Sequence, residues 1–300
     1  MIFRLGPLPI IESFIVLLFK PKFVIKTVDR GNIEWNSGSN FLNYVHVFLC
    51  RYLFKSAYCI DTVSAFTREA VLDSISNSTE KISELRDKIK IISNGVNTEL
   101  FSQYSKDRSR KLLKLDKYDY LIGYTGNYAL SRGGKEAIQV TALLKNAGYS
   151  IGCIILGYEP NQRDLEDLCK SHEVMDCVSF IGSIPFKDVP KYTSALDVGF
   201  SILSQDLSGA SPQKVRQYVA SGAKVITTPG SDEFIQEIGC GFVVSYGDIQ
   251  GMYEKTIQLL SDEFIYDEVA IKNYVDANLA VNNYTTKRFE LWDLPSINAN

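Results

Sequence analysis

Short apolar, β-branched runs alternate with helix-length stretches along almost the whole chain, and that alternation leaves few folds open. Residues 23–28, 58–63, 89–92, 120–124, 151–156, 178–181, 198–202, 225–228 and 242–246 read as strands. Residues 40–56, 65–75, 80–88, 133–146, 162–172, 188–194, 212–221, 233–238, 249–261 and 265–279 read as helices. Strands separated by helices are joined by crossovers, so they lie parallel with helices covering the sheet. The polar, basic stretch 103–117 interrupts the series and reads as a linker. The expectation is an α/β protein of two Rossmann-like doubly wound domains, residues 1–105 and 106–275. A tail, 276–300, is expected to pack back on the first domain.

Charge and chemistry narrow the function classes. Lys and Arg number 32 against 35 Asp and Glu, which gives no electrostatic pull toward nucleic acid. The charged run Lys106–Lys111 reads as a solvated linker. None of the six cysteines forms a Cys-x-x-Cys pair, so reduced thiols are expected. The two histidines, His46 and His172, lie far apart, which argues against a histidine-based metal site or a Ser-His-Asp hydrolase. His46 reads as a packing residue. The apolar stretch 8–19 is too short to span a membrane and is broken by Pro9 and Glu12; it reads as a buried helix leading into a strand. With no export signal recognised, a cytoplasmic location is expected.

In doubly wound sheets, strand C-termini and helix N-termini converge at one edge, where backbone N–H groups and helix dipoles favour anions. Three turns fall at such places. Gly126 and Asn127, followed by Arg132, Gly133 and Gly134, lie between a strand and a helix; the glycines suit close approach of a phosphate, but such turns are common. Ser211, Pro212, Gln213 and Lys214 open a helix, with Ser211 as N-cap and Pro212 as first helical residue. This is a well-capped helix or an anion site. Lys214 favours the second, because a cation in the first turn opposes the helix dipole unless an anion binds beside it. Gln217 follows one turn later on the same face. Ser93, Asn94 and Gly95 form a turn that is either a plain interdomain connection or a ligand contact.

Taken together these residues resemble glycosyltransferase family 4. Ile91–Asn97 followed by Phe101 is similar to its "ipNGVd…F" crossing. Gly123–Gly126 with Arg132 and Gly133 resembles its "G-x-x-G…K-G" loop. Val178–Gly182 and Ser194–Val198 resemble its "V-x-F-x-G…ADV" pair. Ser211–Gly222 followed by Val225 and Ile226 is similar to "SPxKxxEYxAxGxPVI", and Gly239 and Gly241–Val244 to the "G-x-G-x-x-V" that follows. The resemblance covers roughly residues 55–250 and rests on five motifs in one order. It implies a GT-B fold whose N-terminal domain is incomplete, since only about 90 residues precede the Asn94–Gly95 turn.

The resemblance also implies chemistry. Arg132 and Lys214 would bind a diphosphate and stabilise its developing charge. Gly126, Asn127, Gly133, Ser211 and Pro212 would surround the donor, Gln217 would meet the ribose hydroxyls, and Gly182 and Ser183 would lie near the base. Four departures stand out: Asn127 replaces a common basic residue, Gln217 a glutamate and Gly209 an earlier acidic residue, and the stretch before Asn94 is short; Asp29, where the family often has a histidine, is a further catalytic candidate. The implied activity is a retaining, metal-independent transfer from a UDP- or GDP-linked sugar, as co-substrate without further cofactor, to a polysaccharide or lipid-linked acceptor. Peripheral contact with the inner face of a membrane is a further expectation. The alternatives are a non-catalytic or truncated nucleotide-sugar binder and a GT-B sugar epimerase.

Overall fold

A computed structural model of the chain describes residues 1–4, 8–26, 37–75, 82–92, 94–203, 211–229, 234–283, 286 and 290. The chain divides into two compact units, Met1–Asn94 with Leu207–Ser211 and Tyr284–Asn300, and Gly95–Asp206 with Pro212–Asn283.

The smaller unit runs β1 (Ile2–Arg4), α1 (Ile10–Phe19), β2 (Val24–Lys26), α2 (Asn40–Ser56), β3 (Cys59–Thr62), α3 (Ala65–Ile75), α4 (Ile82–Lys88) and β4 (Ile89–Ile91). Its four strands are parallel and stand in sequence order. Phe3, Phe23, Ile25, Leu53, Phe54, Ile60 and Val71 form its core. His46 is fully buried, and its Nδ1 accepts the Leu8 N–H, so packing explains it. Helix α1 corrects the expectation of a buried helix. Ile10, Ile11, Phe14, Leu17, Leu18 and Phe19 are all more than half exposed, while Ser13 and Val16 face inward. The stretch is apolar around most of its circumference, so periodicity could not tell which face would be covered.

The larger unit runs α5 (Thr98–Phe101), α6 (Lys106–Leu113), β5 (Tyr120–Thr125), α7 (Ala129–Arg132), α8 (Gly134–Asn146), β6 (Ile151–Leu156), α9 (Gln162–Ser171), β7 (Val178–Gly182), α10 (Val189–Thr193), β8 (Val198–Ser201), α11 (Gln213–Ala220), β9 (Lys224–Thr227), α12 (Phe234–Glu237), β10 (Gly241–Val243), α13 (Ile249–Leu260) and α14 (Glu268–Tyr274), with a π-helical turn over Val275–Leu279. Its six parallel strands stand in the order β10-β9-β8-β5-β6-β7, a doubly wound arrangement that reverses direction between β5 and β8. Side-chain alternation along β5 builds both faces: Ile122 and Tyr124 enter one core cluster with α8 and α13, and Leu121 enters the other with Val215, Tyr218 and Val219 of α11. Helices on both sides explain why all six residues of β6 are buried.

The stretch read as a linker contains a capped helix. Ser105 accepts the Arg108 N–H at the start of α6. Lys106 and Arg110 both pair with the carboxylate of Asp197, which also accepts the Leu121 N–H at 2.7 Å. The charge run therefore clamps α6 to the N-terminal ends of β5 and β8. A short polar sequence cannot show that its charges have a buried partner 91 residues away. Near the unit's beginning, Val96 exchanges backbone hydrogen bonds with Leu279 and Val281, and Asn97 caps α5. The six cysteines are buried and unbridged; burial pushes the Cys50, Cys153 and Cys240 thiols up to about 12.

Candidate functional site

A cavity of about 440 Å³ opens in the larger unit at the C-terminal ends of β5, β6 and β7 and the beginning of α11. Small-molecule pockets commonly have this size and favour this edge. Of the residues singled out by sequence, Gly126, Asn127, Arg132, Ser183, Pro212, Lys214 and Gln217 line it. Gly133, Gly182 and Ser211 are not on its wall. Asp29, Gly209 and Ser93 lie outside the described residues.

The first wall is the β5–α7 loop. Gly126 has φ 129°, a conformation that a side chain would strain, and its N–H donates to Leu156 O at 2.8 Å. Asn127 Oδ1 accepts the Tyr158 N–H and Tyr128 donates its N–H to Tyr158 O, so the loop is laced to the one after β6. Glu159 strengthens the lacing by accepting the Leu130 N–H. Gly133, at φ 116°, separates α7 from α8 and sits directly over Phe200 and Ile202 at the end of β8. Its role is close packing, which is why it is off the wall. Arg132 lies just before it, with its guanidinium carbon 5.5 Å from the centre of the Tyr128 ring.

The second wall is the beginning of α11. Sequence reasoning placed Ser211 at its N-cap; instead the helix begins at Gln213, and Pro212 holds the cap position without a side-chain hydrogen bond. Pro212 is extended (ψ 124°), so the chain turns helical one residue later than expected. Ser211 O accepts from Asn94 Nδ2. Tyr218 fixes the helix to the sheet: its hydroxyl accepts the Thr125 N–H at 2.7 Å. Its ring fills the space left by Gly199. One turn earlier, the Lys214 Nζ comes to 3.8 Å from the centre of the Tyr124 ring and donates to Arg132 O at 3.5 Å. Among the described residues, neither Lys214 nor Arg132 forms an ion pair with a carboxylate. Burial, and then the charge of Arg132, hold the Lys214 ammonium well below the ordinary lysine range. Two cations at a helix N-terminus, with no paired carboxylate among the described residues, are an arrangement that suits an anion.

Sequence reasoning missed the aromatic part of this wall, Tyr124, Tyr128 and Phe186. Tyr124 was readable only as a strand residue, because nothing local announces that a lysine 90 residues later rests on its ring. Among the described residues, no group of three His, Cys, Asp or Glu side chains is placed to hold a metal ion. Likewise, none of the helices there is long and apolar enough to cross a membrane.

The sequence model of the family described as "Glycosyl transferases group 1" matches residues 105–275, more than half of the chain. The chain belongs to this family. The larger unit of this group 1 glycosyl transferase is the matched part, and it carries the whole cavity. A 2-deoxystreptamine glucosyltransferase of Streptomyces kanamyceticus is 31% identical over 78 residues, a stretch covering 26% of this chain and 20% of that protein. The match thus spans about a fifth of the relative's length. Among solved structures, Anabaena Alr3699/HepE in complex with UDP aligns with a TM-score of 0.76 at 14% identity, over 94% of this chain and 75% of that one. WaaG, a glycosyltransferase involved in lipopolysaccharide biosynthesis, aligns at 0.69 and 14% identity, over 94% and 80%. At such identities the likeness shows the fold, and both sheets of this family member belong to the GT-B type.

Proposed function

We propose that the chain transfers a sugar from a nucleotide-diphosphate donor to a glycan or lipid-linked acceptor. The carrying observation is the meeting of Lys214 and Arg132, without carboxylate partners among the described residues, on one cavity at the C-terminal edge of the sheet. Their positive charge offsets what accumulates on the diphosphate as the glycosidic bond breaks, which is electrostatic catalysis of the leaving group. The two side chains supply the role that a divalent cation plays elsewhere, so the reaction reads as metal-independent. Retention of configuration is part of the reading by family. Gln217 lines the same wall one turn beyond Lys214, where its amide reaches toward the ribose diol with both donor and acceptor capacity. UDP is the favoured nucleotide, since two of the solved relatives, Anabaena Alr3699/HepE and S. aureus TarM, are in complex with UDP.

The acceptor reading places the protein in the cytoplasm at the inner face of a membrane. Its support is α1, whose six exposed apolar side chains are followed by Lys20 and Lys22, the composition of a helix that lies in a membrane interface. Sedimentation with anionic vesicles tests it, with Phe14→Ser and Leu17→Ser expected to reduce binding.

The donor site is tested by following the melting temperature with UDP, GDP and ADP. A ligand at about 100 times its dissociation constant adds roughly 2.7 kcal/mol. The expected result is a shift with UDP that Lys214→Ala and Arg132→Ala abolish and EDTA does not. A folded protein unmoved by every nucleotide would overturn the reading.

A further inference from the structure

The catalytic reading leaves one buried group unexplained. Tyr124 is completely inaccessible to solvent, yet its phenol ends at the wall of the cavity. It touches both halves of the anion site. Its ring faces the Lys214 Nζ at 3.8 Å, and its hydroxyl donates to Asn127 O at 2.5 Å. Gly126 lies between them: a Cβ there would stand 3.3 Å from the Tyr124 hydroxyl and 3.5 Å from Lys214 Nζ. The three groups therefore share one small volume at the mouth of β5.

A lysine half-buried in a helix's first turn needs something to hold it. A carboxylate would do so, but it would also neutralise the charge and compete with a phosphate. An aromatic face attracts an ammonium through its quadrupole and adds no net charge. We propose that Tyr124 is a positioning residue for the anion site, resting on the donor-site reading above. Its ring cradles the Lys214 ammonium in place of a counter-ion, and its hydroxyl fixes the Gly126–Asn127 turn that faces it. The Lys214 charge is thereby held without being neutralised and is pre-aimed at a diphosphate. Arg132 completes the arrangement by offering its carbonyl to the same ammonium, which ties Lys214 to the loop that carries the second cation.

The ring and the hydroxyl have separable consequences. Tyr124→Phe keeps the π face and loses the bond to Asn127. Tyr124→Leu loses both. UDP and uridine are the probes, since uridine presents the same base and ribose without phosphate. The expected result is that Tyr124→Leu weakens UDP about tenfold, between the sizes of an exposed and a fully desolvated cation–π contact, and leaves uridine unchanged. Tyr124→Phe stays within about threefold of the native protein for UDP. Equal loss for UDP and uridine, no loss in Tyr124→Leu, or the same loss in both variants would each overturn the proposal. A measurement on the native protein covers the case in which a variant does not fold. In the ligand-free chain the Lys214 ε-methylene protons should be shifted upfield by the Tyr124 ring current, with Lys214→Arg identifying the signal. An unshifted resonance refutes the cradle. Should the native protein bind no nucleotide, the donor-site reading falls instead, and the ring-current shift still decides whether Tyr124 holds Lys214.

Discussion

Replacing Lys214 with methionine should make the free protein more stable while removing its response to UDP. The ammonium opposes the dipole of α11, which costs about 0.3–1 kcal/mol for a charge in the first turn. It also faces Arg132 and is half-buried, and both lower its ionisation. Desolvation of a charged group amounts to several kcal/mol, and the Tyr124 ring returns about 0.5–2 kcal/mol of it. A net gain of about 1–2 kcal/mol on removal is therefore expected, discounted because Lys214 retains some exposure. Methionine keeps the length of the stem and a favourable contact with the ring. For a unit of this size each kcal/mol moves the melting temperature by about 2–4 °C, so the variant should melt roughly 2–8 °C higher without ligand. With UDP near 100 times its dissociation constant the order reverses, because only the native protein gains about 2.7 kcal/mol. Differential scanning fluorimetry with and without UDP reads both effects. A Lys214→Met protein that melts lower without ligand, or that still shifts with UDP, would refute the reasoning.

The protonation of Lys214 sets a direction for pH. Its folded pKa lies below the ordinary lysine value of 10.5, so the folded state binds fewer protons than the unfolded one between the two values. Stability then rises with pH in that window, and the advantage of Lys214→Met should shrink as pH approaches 10.5. UDP needs the charged form, so its affinity should fall as pH rises through the free-state pKa, which titration calorimetry across pH 6–10 can follow. Tyr218→Phe leaves the buried Thr125 N–H without an acceptor and should cost about 1–3 kcal/mol in chemical denaturation. Asp197→Ala strands Lys106 and Arg110 and should cost about 3 kcal/mol without altering UDP selectivity; an unchanged midpoint would show that α6 is not clamped there.

Much of the fold was legible because its signals are local. The helix over Asn40–Ser56 and the strand over Ile151–Leu156 lie where apolar runs and turn residues put them. The anion site was legible in part, since Gly126, Arg132 and Lys214 each sit at a strand-to-helix turn and a doubly wound topology gathers such turns at one edge. What stayed hidden depends on distant partners. The helix over Lys106–Leu113 is docked on the sheet because Asp197 receives its charges, and the contact that Tyr124 makes depends on Lys214. The exposure of α1 was equally unreadable, because a stretch apolar on most sides carries no mark of which side is covered.

The meeting of Val96 with Leu279 and Val281 has a consequence for how this architecture is edited. The larger unit begins and ends side by side, so its backbone nearly closes into a ring. New termini opened in a surface loop, with Val96 and Val281 joined by a short bridge, would give a permuted protein with the same strand order. The same closure lets the larger unit be lifted as one cassette and grafted beside a different partner module, with the cavity walls built by Arg132 and Lys214 carried along intact.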